Sequence, residues 1–244
     1  MNVCITGASS GIGRALTDNL IKKGHIIWGV ARRKEILENM KKSYPQGKFF
    51  YGVCNVKNLR EVLKTKKIME KEEFYPDLII LAAGVSENDL EPSFNLKSFK
   101  ETFSINLFGG INFIDAFLPD FIKKGKGQFI GLSSIAAFRP NLRGIAYPAS
   151  KSALSLAFRG FDLAYRKRNI YFSIIHLGPV KTPMWEGKDS FLVISPEKIA
   201  EKISKVIITK KSVSYMPFSS TFLFRLTRPL SDGVYAKLGE SIKK

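Results

Sequence analysis

Short runs of apolar and β-branched residues alternate along this chain with longer stretches in which apolar positions recur every three to four residues. Seven runs have the length and composition of strands: NVCIT (2–6), IIWGVA (26–31), KFFYGV (48–53), DLIILAA (77–83), QFIGLS (128–133), YFSIIHL (171–177) and SVSYMP (212–217). Helical segments lie between them near 11–23, 34–43, 57–72, 97–124, 145–168 and 196–209, and a seventh near 220–238 follows the last strand. This alternation predicts right-handed βαβ crossovers and an α/β, doubly wound, seven-stranded parallel sheet with helices on both faces. No repeat, linker or low-complexity stretch interrupts it, so residues 1–244 read as one domain with a C-terminal elaboration. If the strand order is the usual 3-2-1-4-5-6-7, Cys4 and Cys54 stand two strand spacings apart, roughly 9.6 Å, which is too far for a disulfide.

Composition removes several alternatives. An apolar fraction of 45%, a charged fraction of 25% and scattered Gly and Pro exclude disordered, collagen-like and solenoid chains. The longest apolar run, near Leu78 to Val85, is far below the roughly 18 residues that span a bilayer, and MNVCITG has no signal-peptide pattern. A cytoplasmic location is expected. Neither cysteine sits in a metal-ligand pattern, so no metal is expected. The 39 basic and 21 acidic residues give a net charge of +18. Residues 196–244 are about twice as basic per residue as the rest, yet no run of five like charges occurs. Most lysines therefore read as solvated helix faces, and no nucleic-acid partner is expected.

The first strand runs into Thr6-Gly7-Ala8-Ser9-Ser10-Gly11-Ile12-Gly13 and then an amphipathic helix. Glycines in such a turn let a pyrophosphate approach backbone N–H groups and the positive end of the helix dipole. Where a carboxylate at the end of the second strand would accept a ribose 2′-OH and repel a 2′-phosphate, the chain has Ala31, followed by Arg32 and Arg33. Guanidiniums suit a phosphate, so NADP is the expected cofactor, with Arg32, directly beyond the strand, as the favoured contact. Tyr147 and Lys151 lie one helical turn apart on one face, where a cation stabilises a phenolate and fits the pair for proton exchange with an alcohol or ketone. Ser134, just beyond the fifth strand, falls at the carboxyl end of the sheet, where open α/β folds bind ligands.

At this point the chain resembles the short-chain dehydrogenase/reductase family, from TGASSGIG at the amino end through YPASK to Leu177-Gly178-Pro179-Val180-Lys181-Thr182. The resemblance implies a Rossmann-type fold in which Tyr147 is the general acid/base. Lys151 would lower its pKa and hold the nicotinamide ribose, and Ser134 would orient the substrate oxygen. Asn106 would hold a water in the proton relay. It further implies cofactor contacts at Gly7, Ser9, Ser10, Gly11, Ile12, Gly13, Arg32, Arg33, Asn55, Val56, Ala83, Gly84, Tyr147, Lys151, Val180 and Thr182, and a homodimer or homotetramer built on the helices 97–124 and 145–168.

The departures spare every proton-transfer group. The family's Asn-Asn-Ala-Gly is Leu81-Ala82-Ala83-Gly84 here, its Asp-Val beside the adenine is Asn55-Val56, and Leu177 stands for the proline of its Pro-Gly pair. The resemblance places a substrate lid at 182–196, where Met184, Trp185, Phe191 and Leu192 fit either a lipophilic carbonyl or simple packing. The tail, 218–244, is an apolar helix flanked by Arg225, Arg228 and Lys237. It could pack on its own chain, form a dimer contact, or lie on anionic lipid, with packing on its own chain favoured. His25 and His176 read as structural. The resulting reading is an NADP(H)-dependent oxidoreductase acting on a small-molecule carbonyl or secondary alcohol, with a non-catalytic nucleotide-sensing or scaffold protein as the alternative.

Overall fold

A computed structural model of the chain describes residues 1–90, 92–140, 144–185, 192–227 and 229–235. Phe191, Arg228 and Lys237, with 186–190 and the rest of 236–244, fall outside the described residues. All seven expected strands form, as β1 (Asn2–Thr6), β2 (Ile26–Ala31), β3 (Phe49–Val53), β4 (Leu78–Leu81), β5 (Gly127–Ser134), β6 (Ile170–Leu177) and β7 (Val213–Met216). They make one sheet in the order β3-β2-β1-β4-β5-β6-β7, with every pairing parallel. Alternate strand residues feed opposite faces, as the two-residue strand period requires. Val3 and Ile5 enter one core with the buried faces of α1 (Gly11–Lys22), α2 (Lys34–Ser43) and α7 (Pro196–Thr209). Cys4 enters the other, with α3 (Leu59–Lys71), α5 (Gly109–Lys124) and α6 (Ala146–Tyr165). That second core is aromatic: Phe121, Phe129, Phe172 and Phe161 pack ring on ring across α5, β5, β6 and α6. Each such ring, once buried, contributes about 1.5–3 kcal/mol. Both cysteines are free and buried, and burial pushes both thiols up.

Two helical segments differ from their periodicity. The stretch 97–124 is α4 (Leu96–Phe103), one π-helical turn (Ser104–Phe108) and then α5. The wider turn is what rolls Asn106 inward to 2% exposure, and Gly109 follows because a Cβ there would lie 2.6 Å from Val56. The continuous helical stretch Leu96–Lys124 is long and apolar enough to cross a bilayer, a candidate that the apolar runs did not reveal. Its Phe113, Phe117 and Phe121 are buried in the fold, as in a core helix. The tail is likewise not one helix. α8 (Phe218–Leu226) ends at Thr227, whose N–H turns back to Phe224, and Pro229 lacks the N–H that would continue the ladder.

Candidate active site

The site forms at the carboxyl ends of β1, β4 and β5. Gly7 leaves β1 with φ +69°, and a Cβ there would stand 2.9 Å from the Ala83 backbone. Gly11 also has positive φ, and Gly13 packs so closely that a Cβ would overlap the Gly7 carbonyl. The Thr6 hydroxyl accepts the N–H groups of Ala82 and Ala83, both at 3.1 Å. It braces the β1 and β4 ends where the family's two asparagines are missing. α1 begins after Ser10 with no side chain on its first N–H groups and no acidic residue in its first turn. Those donors and the dipole are left facing outward, and the cradle fits a phosphate.

Of the two arginines, Arg33 is the one set against this turn. Its Nη2 and Nε donate to the Ser9 hydroxyl at 2.8 and 3.2 Å. Both guanidiniums are exposed at the end of β2, beside the glycine turn. The strand end set the backbone, but the start of α2, whose N-cap residue is Arg33, turns that side chain back toward β1. Asn55 donates its backbone N–H to Glu61, and Val56 is buried with its carbonyl held by Asn112. Thr182 faces Gly11, with its Cγ2 3.3 Å from where a Cβ would be. Val180 bridges to Ile194 in a parallel pairing. Ile12 is half-buried against the core under α1.

The remaining groups converge on Gly84. A Cβ at Gly84 would lie 3.2 Å from Asn106 Oδ1 and 3.4 Å from Lys151 Nζ, so three elements meet at one backbone atom. Asn106 Oδ1 accepts the Val85 N–H at 2.8 Å, while its Nδ2 donates to the Val85 carbonyl at 2.9 Å and to Ser150 at 3.1 Å. Both Nδ2 protons are committed, so the Asn106 side chain anchors Val85. Lys151 is 6% exposed and donates to the Leu132 carbonyl at 2.9 Å, with Nζ 5.7 Å from the Tyr147 ring centre. Burial lowers its pKa to about 8. Burial pushes the Tyr147 phenol up, and the hydrogen bond with Ser134 opposes that shift. The Lys151 ammonium, one turn from Tyr147, is turned to the Leu132 carbonyl. Ser134 is held in turn by the Ala136 N–H.

Three further residues support the site. Thr6 is one. His176 lies under the site, with Nδ1 3.3 Å from the Ser134 carbonyl and its ring stacked on Tyr215. Asp89 is fully buried and accepts the N–H groups of Ile145 and Ala146 at the start of α6. Its one sequence signal is the lack of a capping residue before Tyr147. Beside the site, Gly178 abuts α8 at Ser220, and Arg139 donates to the Thr227 and Leu230 carbonyls and to Asp232. The described tail therefore packs on its own chain.

Residues 1–192 match the family model of short chain dehydrogenases. The chain is 30% identical over 188 residues to a 3-oxoacyl-[acyl-carrier-protein] reductase of Buchnera aphidicola, covering 76% of each chain. It is 30% identical over 213 residues to a fatty acyl-CoA reductase of Acinetobacter baylyi, covering 84% of this chain and 72% of that one. A short-chain dehydrogenase from Streptomyces avermitilis superposes with a TM-score of 0.83 at 23% identity, over 99% of this chain and 96% of that one. With the parallel sheet, the glycine cradle at its first strand and the match over most of the length, the chain belongs to the short-chain dehydrogenase/reductase family of oxidoreductases.

Proposed function

We propose that this protein is a cytoplasmic, NADP(H)-dependent oxidoreductase that interconverts a carbonyl and a secondary alcohol by hydride transfer, with Tyr147 as the general acid/base. The observation that carries the reading is the meeting of Asn106 and Lys151 at Gly84, with Ser134 hydrogen-bonded to the Tyr147 phenol beside them. The nicotinamide dinucleotide supplies or takes the hydride when bound. Gly7, Ser9, Ser10, Gly11, Ile12 and Gly13 hold its pyrophosphate on the open N–H groups of α1, and Asn55, Val56, Ala83, Gly84, Val180 and Thr182 line the rest of its path. The Ser134 hydroxyl orients the substrate oxygen. Tyr147 gives its proton to that oxygen in reduction and takes it back in oxidation. Burial raises the phenol's pKa and so favours its protonated form, which suits the donor role. The Lys151 ammonium holds the nicotinamide ribose and balances the phenolate left after transfer. Asn106 keeps the Val85 segment in place beside them.

Arg33 beside Ser9, with Ala31 in place of an acid, supports NADP. The exposed Met184 at the lid, and relatives whose names carry acyl substrates, support a lipophilic carbonyl. Leu156 and Leu163, two turns apart on α6 and 68% and 84% exposed, support a homodimer through that helix. The test is titration with NADPH and NADH, followed by nicotinamide fluorescence, in the wild type, Arg33→Ala and Arg32→Ala. NADPH should bind more tightly, and Arg33→Ala should weaken it by about tenfold or more while leaving NADH alone. Equal affinities would remove the NADP assignment. Binding of neither dinucleotide would remove the cradle and favour a scaffold.

A further inference from the structure

We propose that Asp89 is a positioning residue for the acid/base tyrosine: its buried carboxylate caps α6 and fixes the first turn, which carries Tyr147. The inference rests on the role given to Tyr147 above. Asp89 is fully buried, and its two oxygens divide the work: Oδ1 accepts the Ile145 N–H at 2.8 Å and Oδ2 the Ala146 N–H at 2.9 Å. Tyr147 is the next residue. The N-cap position of α6 is Ile145, which has no side-chain acceptor, so the helix takes its cap from a loop 56 and 57 residues earlier in the chain. A carboxylate there satisfies two of the free N–H groups and meets the positive end of the dipole.

The loop that presents Asp89 is itself tied at both ends. At one end Gly84 lies against Asn106 and Lys151, and Val85 is clamped through both its N–H and its carbonyl by Asn106. At the other end the Asp89 carbonyl accepts the Asn95 N–H at 2.9 Å, and the Asn95 side chain caps α4. Opposite the carboxylate is Gly144, where a Cβ would come 2.9 Å from Asp89 Oδ1. Only glycine leaves the carboxylate in place. The residues from Gly84 to Asp89 therefore connect the Asn106 turn to the first turn of α6, and a displacement of either end reaches Tyr147. Proton transfer needs the phenol within hydrogen-bond reach of the reacting oxygen, so a shift on the order of 1 Å lowers turnover about 100-fold.

The test compares the wild type, Asp89→Asn, Asp89→Ala and Gly144→Ala, with Tyr147→Phe as the reference. NADPH affinity is read by nicotinamide fluorescence. Turnover is read with NADPH and a medium-chain aldehyde, an aromatic ketone and an α-diketone. The Tyr147 phenol is titrated by NMR of 13Cζ-labelled tyrosine, with its resonance assigned from Tyr147→Phe. In Asp89→Ala, kcat should fall about 10- to 100-fold with KM and NADPH affinity within about twofold, and the Tyr147 titration should move down toward that of a solvated tyrosine. Asp89→Asn, which keeps one acceptor, should fall between Asp89→Ala and the wild type, and Gly144→Ala should move both readouts the same way. A folded Asp89→Ala with unchanged kcat and titration would overturn the proposal, as would a loss of NADPH binding in step with kcat. Should Asp89→Ala not fold, Asp89→Asn and Gly144→Ala carry the same readouts. If the wild type turns over none of the three carbonyls, the acid/base reading fails, and the titration alone decides whether Asp89 places Tyr147.

Discussion

Lys151→Met separates what the site needs for chemistry from what the fold needs for stability. Burial brings the Lys151 pKa from 10.5 to about 8. In the unfolded chain the ammonium keeps its proton up to about pH 10.4. Between about pH 8 and pH 10.4 the unfolded state thus binds more protons, and stability rises with pH across that window. Below pH 8 the folded chain carries the full cost of a buried charge, about 3 kcal/mol. Methionine keeps most of the stem and removes the charge, but leaves the Leu132 carbonyl without its donor, a loss of about 1 kcal/mol. The variant should therefore be more stable than the wild type by about 2 kcal/mol at pH 6.5, which at a urea m-value of about 2 kcal/mol/M moves the midpoint up by about 1 M. Above pH 10.4, where the lysine is neutral in both states, the advantage should vanish and turn into a small deficit. Urea unfolding of the nucleotide-free protein at pH 6.5, 8.5 and 10.5 measures this directly. A variant less stable than the wild type by the same amount at all three pH values would refute the reasoning. Turnover should be lost throughout, since activity and stability pull on this side chain in opposite directions.

Thr6→Val keeps the shape of the residue but removes the acceptor shared by the Ala82 and Ala83 N–H groups, and should cost about 1–3 kcal/mol in chemical unfolding; Thr6→Ser should recover most of it. Gly178→Ala pushes a Cβ onto the Ser220 hydroxyl, which is buried without a hydrogen-bond partner, and should cost about 1–2 kcal/mol and speed proteolysis after Pro217. Adding Ser220→Ala should relieve that overlap, and additive losses in the double variant would show that α8 is not seated on Gly178.

The alternation of strand and helix patterns was enough to place all seven strands, because each element's period is written within its own few residues, while the order β3-β2-β1-β4-β5-β6-β7 followed the usual doubly wound arrangement. The same locality made the glycine turn, the Tyr147–Lys151 pair and Ser134 legible: a helical turn and a strand end put these residues where they act. Contacts between distant segments left no such mark. Periodicity alone treats 97–124 as one helix, and only packing against Val56 and Val85 opens the π-turn that brings Asn106 inward. The strand end placed Arg32 and Arg33 beside the glycine turn, and the bond from Arg33 to Ser9, 24 residues earlier, is a tertiary contact with no local signal. Asp89 lies in a loop with no pattern of its own, and its role exists only because the chain brings it to the uncapped end of α6. The pKa of Tyr147 belongs to the same class. Sequence spacing supplies the cation one turn away, but tertiary burial raises the phenol's pKa and turns the ammonium toward the Leu132 carbonyl, since desolvation depends on what covers a group and not on what stands beside it in the chain.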